Sequence, residues 1–293
     1  MNVRIGINPL TWSNDDLPTL GADIDLDTCL RQAAEAGYAG VELGHKFPRS
    51  ASVLAPLLSG HGLDLVSGWW GLRLLERDVD AELEAMRPHL ELLRALGSRV
   101  VVCAEVTEAI HGERHVRLSQ RPQLSSVRYD AFAGRLAALA RRMRELGMRL
   151  AYHHHMGTVV QTPAEIDRLL TAPPPEVELL LDTGHLVFAQ GHPVETATRH
   201  GRRIAHVHCK DVRADVLRRC LNADTSFLDA VLMGVFTVPG DGTIEWGAVL
   251  PPLEAVGYRG WLVVEAEQDP TVADPYRMAT TGFGTLSRLI SGP

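Results

Sequence analysis

A single (β/α)₈ barrel of the α/β class is the fold this 293-residue sequence predicts, and three observations predict it. Short runs rich in Val, Ile and Leu alternate with amphipathic stretches, the pattern of βα units around a parallel sheet. About eight such units can be counted, the number a closed barrel of this length carries. Five amphipathic stretches (EAGYAG, LLSGHG, RALGS, RELGM and EAVGY) place a glycine where a left-handed cap stops a helix, and a strand pattern follows within a few residues. That repeat favours a closed barrel over an open doubly wound sheet.

Taken in order, the strands are VRIGIN at 3–8, GVEL at 40–43, LDLVSGW at 63–69 and RVVVCAE at 99–105. The second half adds RLAYHH at 149–154, VELLLD at 177–182, IAHVHC at 204–209 and GWLVVEAE at 260–267. Each is a short apolar run of the kind buried on both faces in a parallel sheet. TAPPPE at 171–176 reads as a turn between the fifth helix and the sixth strand, so no linker divides the chain and 1–293 reads as one domain. Two connections are long. Residues 106–126 carry HGERHVRLSQRPQ and residues 211–239 carry LRRCLNADTSFLDAVLMGVF. Both follow strands, so both are expected as long loops on the C-terminal face, where barrel active sites are built.

Composition narrows the function. A net charge of −7 gives no support for binding a phosphate backbone, which calls for clustered Lys and Arg, so a small-molecule substrate is expected and nucleic acid is not. The four cysteines lie far apart with no Cys-x-x-Cys, which suggests neither a disulfide framework nor a thiolate zinc site and fits a reduced, cytoplasmic protein. The opening MNVRIGINPLTW lacks the apolar core of a signal peptide, and no apolar run reaches the roughly 18–20 residues that span a bilayer, so no membrane role is expected.

What ends the strands carries the chemistry. The fifth strand reaches His153, the sixth Asp182, the seventh His208 and the eighth Glu265, each after an apolar run. Any one alone reads more simply as structure: a hydrogen-bonded histidine, a helix cap at Asp182, an ion-paired Glu265. All four at consecutive strand ends converge on the barrel mouth, where buried charges without a cation are costly. Two imidazoles and two carboxylates suit a divalent metal, Mn²⁺ or Co²⁺ first, with Zn²⁺ or Fe²⁺ as alternatives, more than Ca²⁺. In the HHH triplet at 153–155, residues two apart share a strand face, so His153 and His155 point one way and His154 the other, into the strand–helix layer. The same alternation pairs His206 with His208 and Glu265 with Glu267.

At these residues the chain resembles a known family. GINPLTWSNDDLP at 6–18, GYAGVELGHKFPR at 37–49, YHHHMGTVVQTP at 152–163, LLLDTGHL at 179–186, HVHCKDVR at 206–213 and WLVVEAEQDP at 261–270 resemble the myo-inosose-2 dehydratases of inositol catabolism, through nearly the whole chain. LDTGH and GDGTIEW at 240–246 are shared with the wider xylose isomerase-like group of sugar isomerases and epimerases. That group implies a barrel with a Glu, Asp, His, Glu metal quartet. Asp182, His208 and Glu265 match the last three, while the first glutamate is a histidine here, best aligned as His153, with His155 a rival if the strand bulges.

The resemblance implies loss of water from 2-keto-myo-inositol (scyllo-inosose), giving a trihydroxycyclohexane-1,2-dione. A divalent cation on the ketone oxygen stabilises an enolate, so that a side-chain base can remove the neighbouring proton before the β-hydroxyl departs. His185, three residues after Asp182, is the candidate base, with Lys210 and Glu267 as further catalytic groups. A cyclitol presents many hydroxyls, and Asn8, Trp12, Glu42, His45, Trp69, Glu105, His155 and Arg213 stand where they would hold it. Trp69 and Trp70 alternate, so one of them faces the mouth. Proton return without water loss would make the enzyme a keto-sugar or inosose isomerase or epimerase on the same scaffold. A metal-dependent endonuclease of the same barrel group would need a more basic surface, and a metal-free binding protein would have no use for the quartet. Exposed loops on such barrels suggest a homodimer or homotetramer.

Overall fold

The computed structural model describes residues 1–171 and 176–291, so most of the turn expected at 171–176 lies outside the described residues. Eight parallel strands close into a barrel: β1 (Asn2–Ile7), β2 (Gly40–Leu43), β3 (Asp64–Leu72), β4 (Val100–Glu105), β5 (Arg149–His153), β6 (Glu178–Asp182), β7 (Ile204–Cys209) and, last around the ring, β10 (Arg259–Val264). Closure is made by β10 lying in register beside β1 from Asn2 opposite Arg259 to Ile7 opposite Val264. All eight predicted strands are present, with ends shifted. β3 runs on to Leu72 because Trp69–Leu72 pair with Val102–Glu105 of β4. The last strand stops at Val264, which leaves Glu265 and Glu267 just beyond the ladder.

Helices α1 (Leu26–Glu35), α2 (Ala51–Gly60), α3 (Val79–Ala95), α4 (Ser126–Glu145) and α5 (Pro163–Thr171) follow the first five strands. The starts of α1 and α3 are capped by short polar side chains: Asp25 accepts from the Thr28 amide at 2.7 Å and Asp78 from that of Ala81 at 2.8 Å. In α3 the buried Leu83, Met86, Leu90 and Leu93 recur on one face and pack on the barrel, each contributing about 1.5–3 kcal/mol of burial. Gly97 and Gly147 terminate α3 and α4 at φ 84° and 74°, a conformation that costs a residue with a Cβ. Past β6 come α6 (Thr183–Phe188) and α7 (Pro193–His200).

The connection after β4 has only a short 3₁₀ turn at Leu118–Gln120. That after β7 is no loop. It folds as β8 (Asp211–Val212), α8 (Ala214–Ala223), α9 (Phe227–Leu232) and β9 (Phe236–Thr237), the two short strands pairing antiparallel. The reason is its own apolar periodicity, which buries Val216, Phe227, Val231 and Phe236 in a separate cluster. Arg114 holds Asp229 at 2.8 Å and Ser119 Oγ donates to Asp224 at 2.5 Å, so the two connections brace each other over the mouth. GDGTIEW is structural: Asp211 accepts from Trp246 Nε1 at 2.8 Å, and a Cβ on Gly242 would stand 2.2 Å from Asp211 Oδ1. The fold finishes with α10 (Trp246–Ala255) before β10 and α11 (Pro275–Ser291) after it.

Candidate active site

His153 ends β5, Asp182 ends β6, His208 lies opposite Asp182 on β7, and Glu265 is the first residue past β10. One ligand atom from each lies within 4.8 Å of the others, and all four side chains are buried. His153 Nε2 and His208 Nδ1 each stand 3.5 Å from Asp182 Oδ2, and His208 Nδ1 stands 2.8 Å from Glu265 Oε2. Asp182 uses its two oxygens differently. Its Oδ1 accepts from the His185 amide at 2.7 Å, while its buried Oδ2 accepts no hydrogen bond among the described residues. An orphaned carboxylate oxygen between two imidazoles fits a divalent cation.

The outer partners leave the right lone pairs inward. His153 Nδ1 lies 2.8 Å from the His154 carbonyl, so it carries the proton and Nε2 is free; burial pushes this imidazole down to about 3. His208 turns Nε2 to Glu42 at 3.2 Å and Nδ1 to the quartet. Burial opposes a charge on His208, but the carboxylates of Glu265 and Glu42 outweigh it and hold the imidazole well above its ordinary value. Glu42, likewise buried, is kept well below the usual carboxylate range by His208 and His206.

The triplet divides as its alternation predicts. His155 lines the cavity, its ring 3.9 Å from that of His185, and burial holds it well below its ordinary value. It stands outside the four-residue cluster. His154 turns the other way, its Nε2 taking the Asp182 amide at 3.4 Å.

Beside the quartet, the fully buried Lys210 places Nζ 2.5 Å from Glu265, 2.8 Å from Glu267, 3.1 Å from His185 Nε2 and 3.6 Å from Asp182. Gly184 makes room for its stem, since a Cβ there would come within 2.5 Å of Lys210 Cγ. Burial outweighs Lys210 and pushes the Glu267 carboxyl up to about 7. His185 is not on the cavity wall. Its Nδ1 takes the Met156 amide at 3.2 Å and Phe227 stacks on its ring, so the expected direct reach to substrate is replaced by contact through Lys210. Glu267 is on the wall.

The cavity above is open to solvent on one side and takes in about 630 Å³ of space, part of it outside the mouth. Of the expected substrate holders, Asn8, Glu42, Trp69 and His155 line it. Trp69 closes one side, its edge toward His153 and His155, while Trp70 turns away to Glu82. Glu42 is already saturated by Asn8, Ser67, His206 and His208, so its place is behind His208.

Four others are elsewhere. Trp12 is 1% exposed under its own loop, donating to Gln32 at 2.6 Å. Glu105 accepts the Leu74 and Thr107 amides and so fastens the turn after β3. Arg213 is spent on the Gly234 and Phe236 carbonyls and on Asp241 in the β8–β9 insertion. His45 reaches the rim only through Asp15, at 2.6 Å. Three polar cavity residues were not singled out in the sequence, namely Asp15, Asp16 and His111, all on loops. The signals were the acidic pair in NDD just after β1 and the expected active-site loop at 106–126 that contains His111, neither of which any periodicity orients.

Residues 30–282 match the xylose isomerase-like TIM-barrel family. The chain is 52% identical over 289 residues to the rhizopine catabolism protein MocC of Rhizobium meliloti, covering 99% of this chain and 89% of that one. It is 42% identical to the inosose dehydratase of Geobacillus thermodenitrificans, covering 94% of each chain. The inosose dehydratase of Glaesserella parasuis is 37% identical, covering 96% of this chain and 95% of its own. Among solved structures, the probable 3-DHS dehydratase AsbF of Bacillus anthracis superposes with a TM-score of 0.70 at 13% identity, over 97% of this chain and 99% of that one. An IolI protein with a bound zinc atom gives 0.66 at 17%, over 98% and 96%. These two share the fold. The chain belongs to the inosose dehydratase family of xylose isomerase-like TIM barrels.

Proposed function

We propose that this protein dehydrates 2-keto-myo-inositol to a trihydroxycyclohexane-1,2-dione, with a divalent metal held by His153, Asp182, His208 and Glu265. The observation that carries the reading is that His153, His208, Glu265 and Glu267 line one cavity, with Asp182 buried directly behind them within ligand distance of the first three, in a chain 37–42% identical to inosose dehydratases. A bound divalent ion supplies Lewis acidity to the ketone oxygen. Mn²⁺ and Co²⁺ suit the mixed nitrogen and oxygen donors, and the zinc in the IolI neighbour makes Zn²⁺ the first alternative to test.

The chain's own groups handle the proton. Lys210 holds Glu267 by Oε2, which leaves Oε1 to accept the hydrogen from the carbon beside the ketone. As that C–H bond breaks, its electron pair forms the new double bond, the C–O bond to the β-hydroxyl breaks, and the proton that Glu267 accepted goes to the departing oxygen, so that water leaves and the carboxylate is restored. Lys210 keeps one positive charge among Glu265, Glu267 and Asp182 throughout, which limits repulsion between them. His185 sets the position of Lys210 from behind. Trp69, Leu10 and Val102 give the apolar wall that a cyclitol ring packs against. The four free cysteines are all buried, in keeping with a reducing cytoplasmic setting.

The test is to strip the purified protein of metal, reload it with Mn²⁺, Co²⁺ or Zn²⁺, and follow scyllo-inosose by the ultraviolet absorbance of the enolic dione. Metal-dependent appearance of that product is expected. Exchange of the α-hydrogen without water loss overturns the reading in favour of an isomerase, and no reaction with any of the three ions overturns it altogether.

A further inference from the structure

Lining the same cavity are two side chains that the chemistry above does not use. Asp16 comes from the loop after β1 and His111 from the long connection after β4. Asp16 Oδ1 and His111 Nε2 stand 3.8 Å apart, too far for a direct hydrogen bond. His111 is 15% exposed, and its buried Nδ1 has no partner among the described residues, so the imidazole is fixed by neither nitrogen.

Both loops are built to hold this spacing. The Asp16 loop is anchored below by Trp12, turned by Asn14 Oδ1 taking the Asp16 and Leu17 amides at 2.9 and 2.8 Å, and pinned by Lys46 Nζ on the Gly21 and Ile24 carbonyls at 2.5 Å each. The His111 loop is tied to the loop after β5 by the Ile110 amide on the Gly157 carbonyl at 2.9 Å. Gly157 stands at φ 80°, and a Cβ there would lie 3.0 Å from the His111 amide nitrogen. The closest approach of the two loops therefore leaves a carboxylate and an imidazole aimed at one gap.

A hydroxyl is the group that fits the gap, because it donates once and accepts through its lone pairs. An oxygen about 2.8 Å from both atoms would donate to Asp16 and accept from His111. We infer that Asp16 and His111 together hold one ring hydroxyl of the polyol between the loops after β1 and β4, and so select for a substrate hydroxylated at that position. This rests on the dehydratase reading for the identity of the polyol. A latch joining the two loops would instead affect stability and leave selectivity alone.

The test uses the Mn²⁺-loaded protein and myo-inositol, which has the hydroxyls but no ketone to react, together with deoxy-inositols each lacking one hydroxyl. Calorimetric affinities are measured for wild type, Asp16→Asn, His111→Gln and the double variant, with melting temperature and metal content as controls. Wild type is expected to bind one deoxy form about 10- to 100-fold more weakly than myo-inositol. That preference is expected to collapse in either variant, with the double variant no worse than the singles. Unchanged selectivity in folded variants overturns the inference, as does failure of wild type to bind myo-inositol. Turnover of scyllo-inosose is scored separately: if it fails while the pair still governs inositol selectivity, the dehydratase reading falls and the hydroxyl site stands.

Discussion

Replacing Glu42 with Gln tests whether this carboxylate serves the metal ligand or the substrate. Glu42 receives Ser67 Oγ at 2.5 Å, Asn8 Nδ2 at 2.6 Å, His206 Nε2 at 2.8 Å and His208 Nε2 at 3.2 Å. Every one of these partners donates to it. A glutamine of the same shape keeps one accepting oxygen and turns the other into a donor. If its oxygen stays with Ser67 and His206, its nitrogen confronts Asn8 Nδ2. Asn8 cannot flip to accept, because its own oxygen takes the Leu10 amide at 3.0 Å and its amide also serves Glu265 at 2.9 Å. His208 then loses the anion that fixes its Nε2–H and directs Nδ1 inward. Loss of such an outer partner costs about 10- to 100-fold in metal affinity, or about 1.4–2.7 kcal/mol. Calorimetric titration of metal-free wild type and Glu42→Gln with Mn²⁺ reads this directly, with a melting curve to verify folding. Unchanged metal affinity combined with a raised KM for inosose would refute the reasoning and restore Glu42 as a substrate contact.

Three further outcomes follow from the same geometry. His208→Ala removes the residue that touches both Asp182 and Glu265, and elemental analysis is expected to find little bound metal; wild-type content would remove His208 as a ligand. Glu267→Gln is expected to keep its metal while kcat drops about 10²–10⁴-fold, the range of a lost proton carrier, and His185→Ala to keep its metal with a smaller loss. A near wild-type rate for Glu267→Gln would exclude it as the base. His89, on α3 outside the site, is pushed down to about 4, first by burial and further by Arg49, against a hydrogen bond with Gly68. Between that value and its ordinary 6.5 the unfolded chain binds the extra proton, so stability falls as pH drops through this window, by about 3 kcal/mol from this group. Urea unfolding of wild type and His89→Gln at pH 7, 5.5 and 4 should show the two pH curves converging in acid; parallel curves would refute it.

The barrel strands were legible because each is an apolar run bounded by turn residues, and the helix ends because only glycine takes the left-handed cap cheaply. The quartet was legible for a related reason. A polar residue that ends a buried strand has one mouth to face, and a period of two decides which neighbours share its face, as the split between His153, His155 and His154 shows. The ribbon and helices after β7 were read as a loop because their apolar runs are short and pack on each other and on the loop after β5 and α6, apart from the main core.

Once the chain leaves a strand, that logic stops. Trp12, His45 and Arg213 stand near strand ends in sequence yet point into loop anchors or toward the rim, since a loop backbone has no period to aim a side chain. Glu42 was located correctly but not its partners, because His206 and His208 lie 164 and 166 residues further along. The sequence by itself therefore determined the barrel, its strand order and the strand-end residues His153, Asp182, His208 and Glu265 brought together at its mouth, all of which follow from local burial patterns. Only the tertiary structure decided which polar groups come together: that Glu42 stands behind His208, that Lys210 binds Glu267, and that Asp16 stands 3.8 Å from His111. Those pairings depend on distances between distant loops and strands, and no short-range pattern encodes such distances.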